Sequence, residues 1–432
     1  MMSNRLTTLL RAQTTRIVQD PLARTAWPLL INIGSNGLLG VAYWMVAARL
    51  YEPETVATNS AVLAAMTTLS GITQLNLSQM MMVFVPRAGA RARRVIAKVY
   101  GVVTGFALLA LLLFALLVLP HLTSLSGVLD SRTHFAIFAL GVLLFNLFAL
   151  QDAALISLRK QKLVPIENAT YGAAKLALLF PLLVLAPDFG IYASWIIPLV
   201  LLVPWITWVI FRTRPGVTGV TTLPKPRERI SKLGLDYVGY LFLVGSTFLL
   251  PVLALELLHP LEAAVFAIAW QTSSTIDLLA SNVGTALTVE TSYGRDPAAL
   301  RRTMLRHGLL FVSGVAVVAA LAAPLILSLY GPHYRSEGVL TLRVLLLAGI
   351  PRCLGTFAIA EARAHRKIGW IVRLRAQNFV VAIGLALLLA PELGVIGMAL
   401  AWLGAQVLSG LVALRRLRVW SPDKLSTAEV SS

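Results

Sequence analysis

The sequence predicts an all-α polytopic membrane protein, with about twelve transmembrane helices arranged as two six-helix lobes. Three observations carry that expectation: the hydropathy, the side on which basic residues fall, and a junction written twice. The chain has 432 residues, 57% hydrophobic and 13% charged, at a mean hydropathy of +0.79. A water-soluble core of that length cannot enclose so much apolar material.

A hydrocarbon core of roughly 30 Å needs about 20 mostly apolar residues per helix, and the chain supplies such runs almost from end to end. Residues 1–24 are basic, with no apolar region followed by a small-residue cleavage site, so they read as a retained cytosolic leader. The first lobe, 25–211, contains spans near 25–48, 58–85, 98–120, 134–157, 164–186 and 190–211. A cytosolic linker, 212–234, leads to the second lobe, 235–414, with spans near 235–256, 262–289, 307–329, 338–361, 369–390 and 394–414. Residues 415–432 form a cytosolic tail.

Basic residues then test this map, because cytosolic loops hold the excess of Lys and Arg. One side receives Arg5 to Arg24, Arg87 to Lys98, Arg159 to Lys162, Arg212 to Lys232, Arg295 to Arg306, Arg363 to Lys367 and Arg415 to Lys424. The opposite loops hold only Arg49, Arg132 and Arg335. Both termini are therefore expected in the cytosol. The net charge of +18 follows from this topology, with attraction to anionic membrane lipids as a second contribution and no need for a nucleic-acid partner.

The repeated junction is LVLAPDFGIYA at 183–193 and LLLAPELGVIG at 387–397. Matching Ala186 to Ala390 sets an offset of 204 residues (390 − 186), which also superposes Arg159 on Arg363, Arg212 on Arg416 and Arg214 on Arg418. A tight turn explains the Pro and Gly, but not the matched basic flanks. The chain reads as an internal duplication. A weaker echo pairs Glu54 with Glu262. Six spans per unit give both halves the same orientation, related by a pseudo-twofold axis along the membrane normal.

Polar residues inside the spans point to a shared aqueous cavity. In the first span Asn32, Asn36 and Tyr43 lie within about 40° of one another at roughly 100° per residue. The second carries Thr67, Ser70, Gln74 and Ser78, and the seventh Asp236, Tyr237, Tyr240 and Glu256. The eighth is the most polar, with Gln271, Ser274, Thr275, Asp277, Ser281 and Asn282. The plain alternative is that such residues join helices by hydrogen bonds of about 1 kcal/mol each. The third span is apolar all round and should face lipid. An ionisable residue at a helix centre costs about 2.5 to 3.5 kcal/mol on insertion scales, so it lines a cavity or finds a partner. Lys175 and Arg352 sit near mid-span, where a water-filled cavity or an acidic partner is expected. Arg343, Arg373 and Arg375 lie near span ends, within snorkelling reach. Asp277 either neutralises an internal cation or serves as an ion-coupling site for a proton or sodium.

Several functions drop out. No Walker loop appears, and the six His have no metal-ligand spacing, so neither a metal nor a cofactor is expected. The single Cys353 excludes a disulfide within the chain. A polyprenol-dependent glycosyltransferase would place carboxylates in a substantial outer loop, yet HLTSLSGVLDSRTH has only Asp130.

The stretch LYGPHYRSEGVLTLRVLLLAGIPRCLGTFAIAEARAHRKIGW, with VVAIGLALLLAPELGVIGMALAW after it, resembles bacterial polysaccharide flippases of the multidrug/oligosaccharidyl-lipid/polysaccharide exporter superfamily. The resemblance rests on Tyr330, Gly331 and Tyr334, on the basic turn Arg363 to Gly369, and on Pro391, Gly394 and Gly397. It implies a V-shaped cavity lined by spans one, two, seven and eight. It also implies a polyprenyl-pyrophosphate-linked oligosaccharide, moved to the outer leaflet of the bacterial inner membrane by alternating access. Lipid II flippases of this superfamily typically have extra C-terminal spans, and none is expected after Trp420. The expected cavity residues are Asn32, Asn36, Tyr43, Gln74, Lys175, Gln271, Asn282, Arg352, Arg373 and Arg375, the cations meeting pyrophosphate and the amides meeting sugar hydroxyls. A polysaccharide polymerase and glycosyltransferases are the expected protein partners. A multidrug/cation antiporter and a scaffold for polysaccharide-assembly enzymes are the alternatives.

Overall fold

The computed structural model describes residues 21–75, 77–86, 88–213, 227–274, 297–365 and 367–419. Every regular element among them is helical. The first half comprises α1 (Pro21–Leu50), α2 (Pro53–Thr73), α3 (Leu77–Phe84), α4 (Ala92–Leu113), α5 (Thr123–Leu129), α6 (Arg132–Ser157), α7 (Leu163–Leu185) and α8 (Gly190–Arg212). The second comprises α9 (Arg227–Leu257), α10 (described over 260–274), α11 (Pro297–Leu321), α12 (Ala323–Ser328), α13 (Pro332–Ala364) and α14 (Ile368–Val419).

Among the described residues, seven helices are long and apolar enough to cross a membrane. The last of them, Ile368–Leu417, consists of two helices that meet at a kink at Gly394, each long enough for one span. This is the all-α, two-lobe membrane fold the sequence predicts. Its outward surface is what a bilayer requires: Val184, Leu185, Leu201, Leu321 and Leu388 are all at least 70% exposed. The apolar third span behaves as expected. Its Val103, Ala107 and Leu111 are buried, while Leu108, Leu109, Leu112, Leu116 and Leu117 stand outward.

One expected element differs in form. The second span is not one helix over 58–85: α2 ends at Thr73, Leu75 takes a left-handed φ of 50°, and α3 begins at Leu77. Thr73 turns its hydroxyl onto the Leu69 and Ser70 carbonyls (2.9 and 3.2 Å), a local bond that competes with a straight helix. The stripe from Thr67 to Ser78 is therefore interrupted at Gln74. The eleventh and twelfth spans are the two helices of α14, which meet at a kink at Gly394 with φ 58° and ψ −140°, as the sequence predicts.

The two copies of the junction are clasped differently. In the first half Asn59 of α2 donates to the Asp188 carbonyl (2.8 Å) and accepts from the Tyr192 N–H (2.9 Å). In the second half the Glu262 carboxylate lies against Gly394, where an added Cβ would stand 2.5 Å from Oε1. Within the halves α1 packs on α7 and α9 on α14. Between them α2 packs on α9, a contact close enough that a Cβ on Gly71 would lie 3.1 Å from Val244 Cγ1.

Candidate functional site

The first half builds its interior around a lysine. Helix α7 places Tyr171 and Lys175 one turn apart, α1 supplies Tyr43, and α8 supplies Trp195. The Lys175 Nζ lies 3.8 Å from the Trp195 ring centre, 4.8 Å from that of Tyr43 and 5.2 Å from that of Tyr171. Lys175 is 8% exposed, and no carboxylate among the described residues pairs with it. Aromatic faces thus stand where an aqueous cavity or an acid was expected. A desolvated cation over such rings gains about 2 kcal/mol or more. Because Lys175→Met would strip no buried acid of its counter-ion, the variant is expected to hold its unfolding free energy within about 1 kcal/mol of wild type. A larger loss in thermal melts of the purified protein would reveal a counter-ion for Lys175.

Tyr43 shares a helical face with Asn32 and Asn36 but does not share their surroundings. It has no exposed surface, and its hydroxyl donates to the Ile191 carbonyl (3.0 Å) and lies 2.8 Å from Ser194 Oγ. The expectation that it lines the open cavity is corrected: α8 seals that part of the face. Asn36 is exposed, Asn32 half-buried, and the Asn36 amide donates to Asn32 Oδ1 at 3.2 Å.

The second half also embeds a cation between corresponding helices. Arg375 of α14 lies against α9, its Cδ 3.6 Å from where a Gly239 Cβ would stand, and its Nε is buried without an acceptor. Asp236 and Tyr240 of α9 and Arg363 of α13 are its electrostatic neighbours, and Arg363 Nη2 is 3.8 Å from Asp236 Oδ1. Under the 204-residue offset Arg375 falls on Tyr171, one turn from Lys175. Each half thus places a cation where its fifth span meets its first.

The other expected residues scatter. Arg352 is half-buried on α13, its guanidinium 5.4 Å from the Trp402 ring centre, while Arg373 is exposed. Gln74 caps the broken end of α2, and Gln271 is half-buried on α10. Asp277 and Asn282 lie outside the described residues.

Two acids emerge that the sequence reading did not single out as interior. Glu167 has no exposed surface, and neither carboxylate oxygen has a hydrogen-bond donor. Nearby, the Asn168 amide donates to both Asp152 oxygens at 3.3 Å. Both acids sit near the ends of spans, where a sequence alone gives them water. Their small polar neighbours, Gln151 and Asn168, were the available signal of an interior polar layer.

The halves also meet on the face that carries the few arginine-bearing loops. Glu256, at the end of α9, accepts from Thr123 Oγ1 (3.1 Å) and from the N–H groups of Ser124 (3.1 Å) and Leu125 (2.9 Å), the first turn of α5. Arg49, at the end of α1, donates from Nε to the Leu329 carbonyl (2.7 Å) and from Nη2 to that of Ser328 (3.3 Å). Deeper in, the Tyr237 hydroxyl of α9 donates to the Ile72 carbonyl at 2.5 Å.

Two helical bundles meet face to face, each with a cation at equivalent helices. Solved membrane-transport proteins have the same fold. A multidrug resistance MATE family transporter of the MOP superfamily, in an inward-facing conformation, aligns with a TM-score of 0.67 at 15% identity over 94% of this chain and 99% of its own. The lipid II flippase MurJ, inward closed, gives 0.68 at 14% identity over 91% and 87%. A MOP superfamily transporter from Pyrococcus furiosus, whose binding pocket is described as of reverse polarity, gives 0.55 at 15% over 92% and 94%. No protein-family model matches the chain, and no curated protein matches it.

Proposed function

We propose that this chain is a flippase that carries a polyprenyl-pyrophosphate-linked oligosaccharide across the bacterial inner membrane, for surface or exopolysaccharide synthesis. The observation that carries the reading is the pair of embedded cations, Lys175 and Arg375, each where the fifth span of its lobe meets the first. Cations held inside a bilayer at that cost suit an anionic cargo. Similarity in fold to a protein titled as a lipid II flippase supports a lipid-linked substrate, and resemblance to polysaccharide flippases supports the glycan. The lobes rock about their contact, sugar and pyrophosphate pass between them, and the polyprenyl tail stays in lipid. Both termini face the cytosol, beside the glycosyltransferases that build the glycan, and a polymerase receives it outside.

The test is reconstitution into proteoliposomes with a polyprenyl-pyrophosphate oligosaccharide, following the glycan's accessibility to an external sugar-binding protein. Protein-dependent equilibration between leaflets is expected. Arg352→Ala is expected to lower that rate severalfold at equal protein level, and an unchanged rate would remove Arg352 from the path. The half-buried Asp152 and the buried Glu167 favour a second reading, a multidrug/cation antiporter. Efflux of a cationic dye from the same vesicles, with no glycan movement, would decide for it.

A further inference from the structure

A cavity of about 900 Å³ opens between the halves on the arginine-poor face, lined by the end of α1 and by the segment joining α12 to α13. Three features of its wall agree in sign. First, of the three arginines carried by the loops of this face, Arg49 and Arg335 both line this cavity, with His333 beside them and no carboxylate in the lining. Second, α13 begins here. Gly331, at φ 141°, turns the chain into Pro332, and the N–H groups of His333 and Tyr334 precede the first acceptor the helix supplies; the first backbone bond of the turn is Arg335 N to the Gly331 carbonyl, 3.2 Å. The positive end of a 33-residue helix therefore faces the cavity. Third, Tyr334 in the wall is 2% exposed and its hydroxyl has no hydrogen-bond partner.

We propose that this pocket binds a phosphate-class oxyanion. Unpaired N–H groups at a helix start, an arginine fork and an unsatisfied buried hydroxyl together match phosphoryl oxygens, which accept several short charge-assisted bonds at once. Arg335 is exposed, with no side-chain hydrogen bond or ion pair among the described residues, so its fork is available. Arg49 already binds two carbonyls of the other half, which fixes its plane at the pocket edge. The volume exceeds a bare phosphate and accommodates a diphosphate headgroup. The anion comes from one of two sources, the head of a membrane diphosphate lipid or the free ion, and both present the same oxygens. The inference stands apart from the transport reading, since it requires no glycan and no movement of the lobes.

The experiment uses the full chain in phosphatidylcholine nanodiscs, titrated calorimetrically with inorganic pyrophosphate and, separately, with farnesyl diphosphate. Saturable binding is expected. Arg335→Ala is expected to weaken it at least tenfold, and Arg132→Ala, which removes the third arginine of this face, to leave it unchanged. Farnesyl diphosphate binding at least tenfold tighter than pyrophosphate supports a lipid headgroup at this site, and equal affinity supports the free ion there. No saturable binding of either probe, or equal affinity in Arg335→Ala and wild type, overturns the proposal.

Discussion

Glu256→Ala opens the arginine-poor face. The carboxylate satisfies two N–H groups and one hydroxyl in the first turn of α5, whose own flanking residue, Leu122, has no side-chain acceptor. It acts as that helix's cap from the other half of the chain. Bonds to a charged acceptor contribute about 1.5 to 3 kcal/mol each when shielded. These are partly solvent-exposed, so roughly 2 kcal/mol for the set is a fair scale, or about a 30-fold change in the open-to-closed ratio. Spin labels at the exposed positions Asp130 and His259 report it: the distance distribution in the variant gains a long component that wild type lacks. Glu256→Gln keeps an acceptor without the charge and should fall between the two. If all three proteins give one distribution, the contact does not hold the halves together.

The second large effect is expected at Gly397. A Cβ there would stand 2.3 Å from the Leu389 carbonyl oxygen and 2.6 Å from its carbon, both backbone atoms of the helix on the other side of the Gly394 kink. Side chains yield to overpacking by changing rotamer, but these atoms move only if the bend at Gly394 straightens. Gly397→Ala is expected to destabilise the protein by about 3 kcal/mol, the upper range for an inserted methyl. Gly384, in the helix before the kink, has nothing within 4 Å of an added Cβ, so Gly384→Ala should be neutral or stabilise by up to about 1 kcal/mol. Thermal unfolding of the two variants in detergent separates the explanations. Equal melting temperatures would mean that the bend is not needed.

Much of the architecture was legible in the sequence because hydropathy and charge act one span at a time. A run such as VYGVVTGFALLALLLFALLVLP cannot fold elsewhere than in lipid, and the arginine-poor loops follow from that. The paired Ala-Pro-acid-Gly junctions were legible too, since backbone geometry demands those residues locally. What their clasps are made of was not. Asn59 and Glu262 come from helices far away in sequence, and nothing in either segment says what it will touch. The site shows the same limit. Lys175 could be recognised as embedded, but its companions Tyr43, Tyr171 and Trp195 come from three helices, and an aromatic residue in a span reads equally as lipid-facing. Tyr43 shows how far helical periodicity reaches: it sets the face correctly and leaves open which neighbour covers it. The interruption after Thr73 was missed because Thr, Gln and Leu each tolerate a helix, and only the bonds of the Thr73 hydroxyl mark its end.

That interruption has a thermodynamic consequence for movement. The Ile72 carbonyl belongs to the last turn of α2, where no later N–H of the helix reaches it. Its donor is Tyr237, borrowed from the opposite half. When the halves part, both groups lose their bond, and water must come in to replace it. Separation is thus a hydration step as well as a rotation, and its equilibrium should respond to water activity: an osmolyte excluded from the cleft would hold the halves together without touching any residue of the protein.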